Sequence, residues 1–295
     1  MSPSVEARLL QIAATRKKWI RYKRGDDTVD LLESRFREEA THRWRGIAIA
    51  AETNSGKTTI AERFLGRHEP EVHLAEPSIV PILKVEATRA DENRFYDNIL
   101  EHMPVFKGKT LVRISDKEVA VKRALYDCST KMLIVDEFHN LMRGTPSKQR
   151  DFLIVLKTLG NELRIVIVLI GLPEIYNVLQ ADRQFANRFQ FVFLPKMDIE
   201  SGDSPDQPSE YRKFLATFET LLPFGTPSHL GDDPIATQIY ERSEGTIGEA
   251  TDLIREAAEH AVKAGRDLIT VRDLHECRYV PPSLRGVPPD FSKPA

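Results

Sequence analysis

Two short stretches carry residue types and spacing suited to phosphate chemistry. The first, Ala51-Glu52-Thr53-Asn54-Ser55-Gly56-Lys57-Thr58-Thr59, follows the apolar run Gly46-Ile47-Ala48-Ile49-Ala50 and leads into a helix-like stretch at 59–65. Strand, loop and helix in that order suit a phosphate-binding loop of the pattern G-x-x-x-x-G-K-[ST]. In such a loop backbone N–H groups turn inward around the β-phosphate, and the start of the next helix adds partial positive charge. The expected nucleotide-binding residues are Thr53, Asn54, Ser55, Gly56, Lys57, Thr58 and Thr59. Lys57 would reach the β- and γ-phosphates, and the Thr58 hydroxyl would ligate Mg2+. One position departs from the pattern: Ala51 stands where the first Gly is expected. An alanine is tolerable there if its φ is negative. Taken alone, the stretch has a simpler alternative, a Gly-Lys-Thr turn capping a helix.

The second stretch, Met132-Leu133-Ile134-Val135-Asp136-Glu137, reads as an apolar strand ending in two carboxylates. In a nucleotide-binding sheet it is expected beside the loop strand. Asp136 would hold Mg2+, directly or through water, and Glu137 would polarise an attacking water as general base. Acids are common at strand ends, so the joint occurrence with the loop is what points to an ATPase. Asn187-Arg188-Phe189 precedes a further strand-like run. An arginine there can reach a neighbouring subunit's γ-phosphate as an arginine finger; Arg183 is the competing candidate, and a surface ion pair is the simpler role. Two positions work against fast turnover. Leu172 follows the strand at 164–171 where a polar residue would contact the γ-phosphate or the water. Glu249, in Gly245-Thr246-Ile247-Gly248-Glu249, stands about where a nucleotide-contacting arginine is expected, and is expected to face away from the phosphates it would repel.

Positioning these residues requires a sheet. Strand-like runs at 46–51, 79–87, 132–136, 164–171 and 190–194 alternate with helix-like stretches at 59–66, 91–103, 116–128, 148–163 and 173–179. Strands apolar on both faces and separated by helices predict an α/β fold with a five-stranded parallel sheet covered by helices on both sides. Residues 1–45 read as an N-terminal helical extension with Trp19, Ile20, Leu31 and Leu32 as docking residues, and 46–197 as the nucleotide-binding core. The acidic, Ser/Pro/Gly-rich run at 198–210 reads as a linker. The remainder of 198–279 shows helical periodicity alone, at 211–222, 234–243, 247–264 and 270–277, and reads as a small all-helical lid domain. The tail at 280–295 holds Pro281, Pro282, Pro288, Pro289 and Pro294 and reads as extended.

Composition bounds the rest. The 295 residues carry a net charge of −2 with 29% charged and 41% apolar side chains, enough for a packed core. That charge balance excludes bulk attraction to nucleic acid; any DNA contact must come from a local patch. The basic run Arg16, Lys17, Lys18, Arg21, Lys23 and Arg24 reads first as a solvated helix face. Cys128 and Cys277 fit no metal or disulfide spacing, no leader-like or membrane-length apolar segment is present, and the cytoplasm is the simplest compartment.

The chain resembles the AAA+ ATPases, and more closely the TniB family of transposition proteins. The resemblance rests on Trp19-Ile20-x-Tyr22, the loop Thr53–Thr58, Arg94-Phe95-Tyr96-x-x-Ile99-Leu100, Leu133 to Leu141 (LIVDEFHNL), Gly160-Asn161-Glu162-Leu163, Asn187-Arg188-Phe189 and Glu244-Gly245-x-Ile247-Gly248. It implies an ATP- and Mg2+-dependent regulator of transposition that assembles on double-stranded DNA as a homo-oligomeric ring or filament. Such a protein recruits a separate DDE-type transposase, works with a TniQ-like targeting protein in some elements, and disassembles on hydrolysis. ATP would lie between protomers, with Lys57, Thr58, Asp136 and Glu137 from one and Arg188 from the next. The resemblance places non-specific DNA contacts at Thr88, Arg89, Lys107, Lys109 and Thr110; the alternative is that these are solvated loop residues. The Pro-rich tail would be a flexible hook for the transposase, or simply disordered. A helicase- or clamp-loader-type AAA+ protein, and a nucleotide-gated switch with little hydrolysis, are the competing readings.

Overall fold

The computed structural model describes residues 4–38, 44–73, 78–104, 111–200 and 208–285. The chain divides into two compact units: residues 26–53 with 57–194, and residues 1–25, 54–56 and 195–295. Helix α1 is Val5–Ala14 and α2 is Lys23–Arg37. The sheet unit then runs β1 (Gly46–Ala51), α3 (Lys57–Leu65), β2 (Ile82–Glu86), α4 (Glu92–His102), α5 (Ile114–Asp127), β3 (Met132–Asp136), α6 (Pro146–Leu163), β4 (Val166–Gly171), α7 (Ile175–Gln180), α8 (Arg183–Ala186) and β5 (Phe189–Leu194).

The five strands form one parallel sheet in the order β2-β3-β4-β1-β5. Strands β1 and β3 are buried at every residue, because their short apolar runs have helices to cover them. The order corrects one expectation. β3 does not lie beside β1: β4 is inserted between them, pairing Ile47 with Val168 on one side and Val166 with Met132 on the other. β2, β3 and β4 are laid down as consecutive neighbours, so the chain returns toward β1 one strand at a time before β5 pairs its far edge.

The described strands start or end within a few residues of the positions read from the apolar runs. β2 is the exception, beginning at Ile82 because Val80 and Pro81 join the chain through single contacts to Cys128, Lys131 and Met132 instead of a ladder. Helix starts follow cap chemistry: Asp91 accepts from Arg94 N, and Thr145 accepts from Lys148 N with Pro146 opening α6.

The second unit is built from helices, with α9 (Glu210–Glu219), α10 (Ile235–Ser243), α11 (Ile247–Lys263) and α12 (Val271–Glu276). α11 is its centre. It packs against α1, α10 and α12, and Leu253, Ile254, Ala257, Ala258 and Ala261 along it are fully buried. α12 opens with a capping box in which Thr270 and Asp273 exchange hydrogen bonds. Among the described residues no helix is long and apolar enough to cross a membrane. Cys128 and Cys277 are both free and buried.

Candidate nucleotide-binding site

β1 ends at Ala51, and the chain turns through Glu52–Gly56 into α3. Ala51 is the last residue of the ladder, opposite Leu194, in extended conformation. The left-handed backbone falls instead on Asn54 (φ 60) and Gly56 (φ 83). An alanine is therefore free of strain where the pattern has its first glycine, while at Gly56 a side chain would be strained. Lys57 opens α3 yet is 8% exposed. Its ammonium donates to the loop carbonyls of Ala51 (2.7 Å) and Glu52 (2.6 Å), bridging the base of the loop. Burial pulls its pKa below the ordinary lysine value, and the charges of Glu137, Asp136 and Glu52 act in the opposite direction. Thr58 and Thr59 are exposed on the first turn of α3, as are Thr53 and Asn54 in the loop, whereas Ser55 is buried.

The tip of β3 lies close enough for its carboxylates to act on Lys57 despite the intervening β4. Asp136 is 3% exposed; one oxygen accepts from Glu137 N (2.9 Å) and the other pairs with Lys84 of β2 at 3.0 Å. Glu137 has a left-handed backbone (φ 53, ψ 33), costly for a residue with a Cβ and concentrated in proteins at functional sites. That turn directs the chain into a 3-10 segment, Phe138–Arg143, and leaves the Glu137 carboxylate 3.3 Å from His139 Nε2. Lys84 and His139 are two further groups that the fold brings to the carboxylates. Lys84 gave no signal because only strand pairing brings it to Asp136. His139 stands two residues past Glu137, inside the quoted stretch, but only the turn at Glu137 brings its ring back.

Among the described residues no group of three or more His, Cys, Asp or Glu side chains could hold a metal. One carboxylate and a hydroxyl suit Mg2+ that is otherwise held by phosphate oxygens and water. Asp136 would supply the carboxylate, but its Oδ2 is paired with Lys84, which a metal ion would have to displace.

Arg188 lies elsewhere. Its carbonyl accepts from Gly46 N (2.8 Å), so it stands at the N-terminal ends of β1 and β5, while the loop leaves the C-terminal end of β1. A six-residue strand spans about 20 Å. The guanidinium donates to Asn161 Oδ1 (3.2 Å) and lies over the Trp44 ring, 5.2 Å from its centre. It is therefore unable to reach the candidate phosphate loop of its own chain. Leu172 follows β4 and opens the turn into α7, with its carbonyl accepting from Ile175 N, so no polar side chain stands at that position.

Glu249 does not face away from the loop. It is 5% exposed and accepts from Asn54 Nδ2 at 3.0 Å, because Gly248 N donates to Asn54 O (2.9 Å) and draws the start of α11 against the loop tip. Residues 54–56 group with the helical unit for this reason. Thr88 and Arg89 are exposed just past β2, immediately after Ala87, whose N–H donates to Asp136 O. Lys107, Lys109 and Thr110 lie outside the described residues, as do 286–295 of the Pro-rich tail.

The Bacterial TniB protein family profile matches residues 9–199. The chain belongs to the TniB family. A search of curated protein sequences finds no match. Solved structures share the fold of this TniB-family chain. The ORC1 protein of Aeropyrum pernix, solved in complex with DNA, aligns with a TM-score of 0.63 at 16% identity over 91% of this chain and 68% of its own. CDC6P of Pyrobaculum aerophilum aligns with 0.61 at 15% over 92% and 66%. Drosophila ORC bound to DNA aligns with 0.55 at 14% over 93% and 65%. The TniB-family chain thus spans about two thirds of the length of the solved chains it matches. By family it is a TniB protein, and its fold, a five-stranded parallel sheet with a helical C-terminal region, is the one these solved chains share.

Proposed function

We propose that this TniB-family chain is an ATPase that regulates DNA transposition. It binds ATP with Mg2+, assembles as a homo-oligomer on double-stranded DNA, recruits a DDE-type transposase, in some settings with a TniQ-like targeting protein, and disassembles on hydrolysis. The observation that carries the oligomeric reading is the placement of Arg188 at the end of the sheet opposite the loop. A trans-acting arginine must lie away from its own loop, and this one is already oriented by Asn161 and Trp44.

The chemistry follows from the chain's own groups. Backbone N–H groups of residues 53–59 orient the phosphates, and Lys57 exchanges its two loop carbonyls for β- and γ-phosphate oxygens. Thr58 and Asp136 would hold Mg2+, which supplies positive charge at the transferring group. Glu137, kept beside His139 by its left-handed turn, accepts a proton from the attacking water. Arg188 of one protomer stabilises charge on the γ-phosphate bound by its neighbour. Thr88 and Arg89, with Lys107, Lys109 and Thr110, contact DNA phosphates. Weak contacts summed along an oligomer let a chain of net charge −2 hold DNA. The DNA in the solved ORC1 and ORC structures supports a DNA-binding use of the fold.

A second reading is a nucleotide-gated switch with little hydrolysis. It is favoured by Leu172 at the end of β4 and by the Lys84 ion pair on Asp136. Electron microscopy of the protein with duplex DNA and a slowly hydrolysed ATP analogue at low salt tests the first reading. Regular oligomers that require both DNA and nucleotide are expected; free subunits under those conditions refute it.

A further inference from the structure

The last described residues close on the loop tip through one carboxylate. Glu249 Oε1 accepts from Asn54 Nδ2 (3.0 Å) and from Arg285 Nη1 (2.8 Å). Its Oε2 accepts from Tyr279 Oη (2.8 Å) and from Arg285 Nη2. The Arg285 pairing is bidentate, and the rest of that side chain is committed too. Nε donates to Val280 O (2.9 Å), and the guanidinium lies 5.5 Å from the centre of the Tyr279 ring. Ser283 N donates to Glu244 Oε1, holding the same turn from its other side. A second acid, Asp252, also accepts from Asn54 Nδ2 (3.3 Å), but it has its own cations, Arg255 at 2.9 Å and Arg16 at 4.0 Å. Among the described residues the cation paired with Glu249 is Arg285.

A buried carboxylate hydrogen-bonded to a phosphate loop is an electrostatic fault unless it is neutralised. We propose that Arg285 is a positioning residue for nucleotide: acting through Glu249, it neutralises this buried negative charge at the loop tip and fastens the 279–285 segment to that tip. The inference rests on the nucleotide reading above. With Arg285 removed, Tyr279 and Asn54 still donate to Glu249. The carboxylate then stays charged and repels the incoming phosphates.

The test is titration of the full-length chain with a fluorescent ATP analogue, comparing wild type, Arg285→Ala, Glu249→Gln and the double variant, with Lys57→Ala as control. Arg285→Ala is expected to weaken binding about tenfold. Glu249→Gln alone binds at least as tightly as wild type. The double variant returns to within about threefold of wild type, a rescue that simple loss of packing would not give. Wild-type affinity in Arg285→Ala overturns the inference, as does a double variant as weak as the single. If wild type binds no better than Lys57→Ala, the nucleotide reading itself falls and this inference with it, a pattern distinct from the other two.

Discussion

Gly248→Ala is the sharpest probe of how the loop tip is held. Gly248 is the second residue of α11, where alanine is intrinsically favoured, by at most about 1 kcal/mol. A Cβ built there would come 2.1 Å from Asn54 Oδ1 and 2.4 Å from both Asn54 Cγ and Asn54 O. The Oδ1 contact can be relieved by rotating a side chain, but the carbonyl contact cannot. Asn54 is already in the left-handed region at φ 60, so its backbone has little room to yield. To restore ordinary van der Waals contact the carbonyl must retreat by roughly 1 Å, which breaks the 2.9 Å hydrogen bond from Gly248 N. That bond contributes about 1 kcal/mol and the overpacking costs about 1–3 kcal/mol, more than the helix propensity returns. The displaced residue lies within the candidate phosphate loop, and under the proposed function a net loss of about 1.5 kcal/mol carried into binding corresponds to about tenfold weaker ATP binding. Analogue titration and thermal unfolding on the same samples read the two effects separately. A variant that binds ATP within twofold of wild type and melts at the same temperature would show that α11 does not grip the loop, and would refute the reasoning.

Three further outcomes are expected. Glu137→Gln should retain ATP and prolong the DNA-bound assembly while turnover falls about 100-fold or more; wild-type turnover would remove Glu137 as general base. Arg188→Ala should leave analogue binding by the isolated chain unchanged and abolish DNA-stimulated hydrolysis; unaltered hydrolysis would transfer the finger to Arg183 or elsewhere. Asp273 is fully buried; burial would raise its pKa, but hydrogen bonds from Arg266, Thr270 and His260 prevail and hold it at about 2 against 3.8 when free. A depressed carboxyl stabilises the fold above pH 4 and loses that contribution as pH falls toward 2. The amount is about 2 kcal/mol, measurable by urea unfolding across that window, and an Asp273→Asn variant with the same acid sensitivity would contradict it.

The loop, the two carboxylates and the alternation of apolar runs were legible because each is local. A phosphate loop needs particular residues at adjacent positions, and a strand buried on both faces needs an unbroken apolar run. Ala51 illustrates the boundary of that legibility. Its substitution looked like a defect in the pattern, and became neutral once its backbone proved extended and the left-handed positions fell on Asn54 and Gly56. Contacts between residues far apart in the chain left no such trace. The insertion of β4 between β1 and β3 depends on which strands pair, and runs apolar on both faces do not encode their neighbours. Lys84 reaches Asp136 only through the pairing of β2 with β3.

Glu249 shows the same division most clearly. As a sequence feature it was an acid in the place of an expected cation, and repulsion argued that it should turn away. Folding brought in a partner 36 residues downstream, Arg285, and a buried carboxylate with a bidentate arginine has no reason to avoid the loop. Local pattern thus pointed to the chemistry proposed for this chain. Tertiary structure decided which charges meet, because the sign and strength of an electrostatic interaction depend on distance and burial, and neither is written in the order of residues along the chain.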